Sequence, residues 1–419
     1  MLVLALTLLG ALVAYARMPA YLSHPNFYAE DGTFTLLALS HPLAMLRFRQ
    51  NGWYTLGSSI LYDLATLLNQ ALFHGRLTQL SVSVALVSYL FWGFIAAFPL
   101  WLFSRRAPLR WGLLLWLTTV LFPMPWAPAM FLGSLCNAKF AFGYLAALIC
   151  FYGLLHSPTD RRQIPVALGT VFCALSCPYA YLFAFALIIR LGVRRISLLI
   201  LLSSVPQALA LREALRPMPG ITEGLPTLSA LAENLTARLF GFPFLYPIYS
   251  SLNLWLAVLF SVLITSFILW ASPATLRKPV ATLLAILCAE VLLFAYQRPQ
   301  YVNVAQNFAW VGYNTQYFLP LNLTIFAIFT FVLFQHTRPA VRLGLVPITI
   351  ITLSILLIFL LQDGLPNRAT WFDATPTLER ALSDACEART PDQTSVLFRA
   401  LPEPRSRVRV PTNLACLSK

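Results

Sequence analysis

The chain has 419 residues, 59% of them hydrophobic and only 11% charged, with a formal net charge of +14. A mean hydropathy of +0.73 excludes an ordinary soluble globular domain and points to a polytopic membrane protein. Of the 29 basic residues 26 are Arg, but no basic helix or aromatic-interleaved patch is present, so the charge is not read as a nucleic-acid surface.

Apolar runs fall, in chain order, at 2–16, 77–103, 111–123, 138–156, 164–177, 179–189, 196–211, 252–270, 280–296, 317–334 and 343–361. They predict an all-α transmembrane domain over 1–361 with about eleven spans. The runs 111–123 and 179–189 are short for a full crossing. The opening "MLVLALTLLGALVAYARMPA" lacks a basic leader and a good cleavage site, so it is expected to stay as the first helix. The stretch "TLGSSILYDLATLLNQALF" (55–73) is amphipathic at helical period and predicts a helix lying on the outer membrane surface.

The connectors alternate. Five short loops, at 104–110, 157–163, 190–195, 271–279 and 335–342, hold 12 of the 29 basic residues and one acid, Asp160. The positive-inside rule puts them in the cytoplasm with the N-terminus. The longer loops, about 17–76, 212–251 and 297–316, then lie outside, as does a tail over 362–419. Within the tail, 375–390 places Leu378, Ala381, Leu382 and Ala385 on one helical face, with Pro376 suited to the first helical position. "SVLFRA" and "RSRVRV" predict a hairpin, which makes the tail a small α+β domain outside the membrane. In an oxidising compartment Cys386 and Cys416 are candidates for a disulfide. Cys136, Cys150, Cys173, Cys177 and Cys288 read as small buried residues, and C-x-x-x-C at 173–177 is no strong zinc spacing.

Polar residues without a topological reason gather in the outer loops. No GxSxG, no His cluster and no phosphate-binding Gly-rich loop occurs, which argues against a serine hydrolase, a zinc enzyme and a nucleotide-driven reaction. "HPNFYAEDGTF" (24–34) holds the adjacent acids Glu30 and Asp31 just beyond the first helix. Either carboxylate can act as a general base, although Asp-Gly is also a common solvated turn. Lys139 stands at the outer mouth of a span, and Arg298 occupies the matching position after 280–296. With Arg47 and Arg49 they are candidates to hold an anionic leaving group, or else interfacial snorkelling cations. The loop 297–318 carries four Gln and three Asn among its aromatics. Gln300, Tyr301, Gln306, Tyr313, Asn314 and Gln316, with Tyr28, are candidate sugar or acceptor contacts. Glu290 lies well inside an apolar run and is read as structural.

An acidic pair in the first outer loop, a surface helix, many spans and a small outer C-terminal domain resemble the GT-C superfamily of membrane glycosyltransferases. "FYAEDGTF" is similar to an "AEDG" stretch of bacterial membrane proteins of that type. The resemblance implies transfer of a sugar from a polyprenyl-phosphate donor to a glycan, lipid or protein acceptor, with inversion, at the outer face of a bacterial cytoplasmic (inner) membrane. It implies that Asp31 or Glu30 is the base, with Asp31 preferred. No fixed cofactor and no metal site follows from it, and a divalent cation beside the carboxylates is an open option. The alternatives are a transporter or flippase for an envelope lipid or polysaccharide, using Glu290 and the outer cations, and an O-antigen polymerase or ligase.

Overall fold

The computed structural model describes residues 1–28, 30–41, 49–50, 53–122, 124, 131–192, 194–214, 227–245, 253–297, 315–335, 375–390, 392–399 and 407–416. It is mostly helical. The helices are α1 (Leu2–Arg17), α2 (Ala20–Ser23), α3 (Asp31–Ser40), α4 (Leu56–Phe73), α5 (Leu80–Leu102), α6 (Leu109–Leu121), α7 (Ala138–Leu154), α8 (Gln163–Ser176), α9 (Ala180–Leu191) and α10 (Arg195–Ala214). They continue with α11 (Leu228–Glu233), a π-helical stretch at Asn234–Gly241, α12 (Phe242–Leu245), α13 (Leu254–Ala271), α14 (Ala274–Gln297) and α15 (Thr315–Gln335). The tail adds α16 (Leu378–Glu387), two strands and α17 (Thr412–Ala415).

A helix therefore lies at each predicted apolar run except 343–361, which is outside the described residues. Among the described residues four stretches, Leu77–Leu102, Leu254–Ala271, Ala274–Ala295 and Phe318–Gln335, are long and apolar enough to cross a membrane. These long apolar helices mark an integral membrane protein. Several other apolar helices are shorter: α9 has 12 residues, about 18 Å at 1.5 Å per residue, against a hydrocarbon core of roughly 30 Å. Only Cys177, Pro178 and Tyr179 separate α8 from α9.

Polar contacts fix which ends meet. Arg17, at the C-terminus of α1, donates to the carbonyls of Val120 and Phe122 at 2.7 and 2.9 Å. A cation thus satisfies the last carbonyls of α6, where the helix dipole is negative, and α1 and α6 end on one side. At the opposite end Gln335 donates to the Arg106 carbonyl and Arg194 to the Pro158 carbonyl, each at 2.7 Å. The described parts of the basic connectors consequently collect at one end of the bundle.

Helix α4 is amphipathic in an inverted sense. It buries Gly57, Ser58, Ser59, Tyr62, Ala65, Thr66 and Asn69 against the bundle and exposes Ile60, Leu64, Leu67 and Leu72. Gly57, Tyr62 and Asn69 meet Ser176, Asp31 and Ser83 of other helices, while the aliphatic face is left for lipid. The helix is thus seated against α3 and α5, more closely held than a helix merely resting on a membrane surface.

In the tail, strand β1 (Ser395–Arg399) pairs antiparallel with β2 (Arg407–Pro411), with Phe398 opposite Val408. Leu378, Ala381 and Leu382 of α16 are buried with Val396, Phe398, Val408 and Val410, and Ala385 is half-buried. The Thr377 side chain caps α16, so Pro376 stands one place before the cap and not at the first helical position. Cys386 and Cys416 are joined by a disulfide. The bridge spans 30 positions, so Cys386→Ser is expected to destabilise the tail by about 2–4 kcal/mol. Hydrogen exchange would show faster exchange across α16 and none of that change in α5.

The tail docks on the first loop. The Leu378 N–H donates to the Pro25 carbonyl at 2.7 Å, and the Asn26 side-chain amide donates to the Pro376 carbonyl at 2.7 Å. His24 Nε2 meets the Thr375 carbonyl at 2.6 Å, and Phe27 lies beside Phe398. Val408 covers Gly32 so closely that a Cβ there would come within 2.6 Å of it.

Candidate functional site

Asp31 does not stand in a solvated turn. It is the first residue of α3, and its exposure is 0%. Oδ1 accepts the Tyr62 hydroxyl at 2.6 Å and the Leu135 backbone N–H at 3.1 Å. Ser134 helps to hold the carboxylate, but no hydrogen bond of good geometry reaches Oδ2 among the described residues. Burial raises the Asp31 carboxyl from the ordinary carboxylate range to about 7, against the opposing pull of Tyr62, Ser134 and Leu135. The negative charge of Glu30 adds to the rise.

Glu30 is exposed, and its Oε2 accepts the Cys136 thiol at 2.8 Å. The links 31 to 135 and 30 to 136 run side by side, so the acidic pair is clamped to one short segment. Burial, followed by Glu30, pushes the Cys136 thiol well up, which keeps it neutral and able to donate.

That segment is shaped by α5. The Ser88 hydroxyl donates to the carbonyls of Phe131 and Ser134, and the Trp92 ring N–H donates to Phe131. Gly133 has φ +88 and a Cβ there would lie 2.2 Å from the Tyr21 ring, so the turn that presents Leu135 to Asp31 requires glycine.

Lys139 lies in the first turn of α7, with its Nζ over the Phe140 ring at 5.4 Å. Its charge acts on Cys136 and on Cys177. Lys139, Cys136, Glu30, Asp31 and Tyr62 therefore belong to one neighbourhood, at the end of the bundle away from the basic connectors. Tyr28 is buried there, and its hydroxyl is pushed upward by burial and then by Cys136, Glu30 and Asp31.

Arg47, Arg298, Gln300, Tyr301, Gln306, Tyr313 and Asn314 lie outside the described residues, as do the side chains of Arg49 and Gln316. Glu290 sits seven residues before the end of α14, level with the first turns of α7. It is 4% exposed, and among the described residues its Oε1 has no hydrogen-bond partner. With Phe140, Gly143, Cys177 and Tyr179 it lines a cavity of about 20 Å³. Among the described residues no group of three or more His, Cys, Asp or Glu side chains converges as a metal site would.

Sequence reasoning missed Tyr62, Ser134, Leu135 and Cys136 as companions of the acids. Tyr62 had a signal, its place on the polar face of α4. Leu135 contributes only a main-chain N–H, which leaves no mark in a sequence.

No protein-family model, no curated protein and no solved structure matches the chain.

Proposed function

We propose that this chain is an integral-membrane glycosyltransferase of GT-C type, with Asp31 as general base at the face where the first loop and the tail meet. The observation that carries the reading is the state of Asp31: one oxygen is held by Tyr62 and Leu135, and the other is buried with no hydrogen bond of good geometry among the described residues. A buried acceptor oxygen left unpaired is costly, and a carboxyl poised near neutral pH suits proton abstraction.

In this reading the acceptor hydroxyl takes the place beside Oδ2. Asp31 removes its proton as the oxygen attacks the anomeric carbon. The bond from that carbon to the lipid phosphate oxygen breaks, the phosphate leaves with the electron pair, and the configuration inverts. Lys139, with Arg298, offsets the charge that develops on the phosphate. Because Asp31 is covered, the acceptor has to part its surroundings, and the Glu30–Cys136 contact is the exposed edge of that cover. The reading puts the basic connectors in the cytoplasm of a bacterium and the tail outside the inner membrane.

The transporter alternative needs a path past Glu290. The space beside it, about 20 Å³, has room for roughly one water molecule.

The test is the pH profile of sugar transfer from a polyprenyl-phosphate donor by the purified protein. Only ionised Asp31 accepts a proton, so the rate should climb as pH rises through about 7 and then level off. A rate that is flat from pH 5 to 9, on the order of those limits, would exclude Asp31 as the base.

A further inference from the structure

The bundle has a second site at its other end. There the basic connectors border a cavity of about 1480 Å³, larger than the roughly 300–1,000 Å³ of a typical small-molecule pocket. Arg106, His156, Arg190, Arg277 and Lys278 line it, and among the described residues no Asp or Glu does. His156 is already engaged, with Nδ1 at the Tyr152 carbonyl and Nε2 facing Arg162. The nearby acid Asp160 pairs with Arg162 at 3.9 Å, although its charge also reaches Arg106. Arg277 donates to the Ser272 carbonyl. Among the described residues Arg106, Arg190, Arg277 and Lys278 form no ion pair, and all four are exposed.

The walls change character along the helices. On α14 the lining runs from Arg277 and Lys278 through Thr282 to Ala285, Ile286 and Ala289. The twelve helical steps from 277 to 289 carry it about 18 Å inward. On α9, Arg190 stands at the mouth, and Phe185 and Ile189, 47% and 82% exposed, form the apolar wall. Trp270 of α13 faces the same space and is 63% exposed. The positive-inside rule accounts for arginines in the connectors. It does not account for a groove that begins with cations and continues as an aliphatic and aromatic wall.

We propose that this groove binds an anionic phospholipid, with the phosphate between Arg190, Arg277 and Lys278 and an acyl chain along α9 and α14. Charge complementarity and the polar-to-apolar gradient fit that occupant. A free phosphate would use the cations and leave the apolar wall idle, and a neutral lipid would use the wall and leave the cations idle.

The test uses the full chain in nanodiscs of phosphatidylcholine doped with a photoactivatable phosphatidylglycerol. Crosslinks are expected at 180–191 and 274–289, with unlabelled phosphatidylglycerol competing at least about tenfold better than phosphatidylcholine. Replacing Arg190, Arg277 and Lys278 together by Gln should abolish that preference, and replacing each Arg by Lys should keep it. Crosslinks elsewhere, equal competition by the two lipids, or loss of crosslinking on adding millimolar inorganic phosphate would overturn the proposal. The wild-type crosslink map decides the matter even if the triple variant does not fold.

Discussion

Asp31→Asn is expected to lower sugar transfer by about 10²–10⁴-fold, the usual contribution of a general base, while the protein stays folded. The asparagine keeps a carbonyl oxygen where Oδ1 now accepts from Tyr62 and Leu135, so the clamp between α3, α4 and the 131–137 segment survives. What is lost is the ability to take a proton. Stability should respond in the opposite sense to activity. A carboxyl raised to about 7 in the folded chain binds its proton more tightly than in the unfolded chain, so its stabilising effect is present at low pH. That effect is lost as pH rises from about 4 to about 7, and the asparagine variant should not lose it. Thermal unfolding of both proteins at pH 5 and pH 8 reads this directly. A structural acid would give the converse, a variant that unfolds and loses transfer only in proportion. Glu30→Gln should reduce transfer less, because Glu30 meets Cys136 at the exposed edge of the site.

Gly93→Leu is expected to prevent assembly of the bundle. Helices α1 and α5 touch backbone to backbone: a Cβ on Gly93 would lie 2.0 Å from the Thr7 carbonyl oxygen and 2.8 Å from the Ala11 nitrogen. A Cβ on Gly10 would lie 2.9 Å from the Gly93 Cα. No side chain can yield on either side, so the two helices must separate, as in other small-residue contacts between membrane helices. Separation also strains the Trp116 bond to the Leu6 carbonyl and the Arg17 bonds to Val120 and Phe122. The cost should reach or exceed about 3 kcal/mol, the upper part of the range for overpacked cores. Size-exclusion chromatography after a thermal ramp should show little folded variant. Gly169→Ala is the control: its new Cβ meets only the Ile149 side chain, nearest at its movable end Cδ1 at 3.0 Å, and should be tolerated.

Much of the helical layout was legible because apolar runs and short basic connectors are local signals. The amphipathic face of α16, with Leu378, Ala381 and Leu382 buried, followed from helical period alone. Of the site, the two acids, Tyr28 and Lys139 were marked in the sequence, but the hydrogen-bond companions of the acids were not. Their companions come from 31 and 104 positions away, and one of them is a main-chain N–H. The same holds for "HPNF". It read as a flank of the acids, whereas His24, Pro25 and Asn26 bind main-chain groups of the tail about 350 positions later. Such pairings rest on tertiary closure and not on any local pattern. The π-helical stretch at Asn234–Gly241 was likewise unmarked, because its sequence differs little from that of an ordinary helix.

The most direct measurement is the fate of a radiolabelled polyprenyl-phosphate sugar given to the purified protein in liposomes with a mixed envelope-glycan acceptor. Consumption of the lipid-linked sugar with appearance of label in the acceptor, abolished by Asp31→Asn, is the expected result. Movement of the lipid between leaflets with the sugar still attached, unaffected by Asp31→Asn, would contradict it.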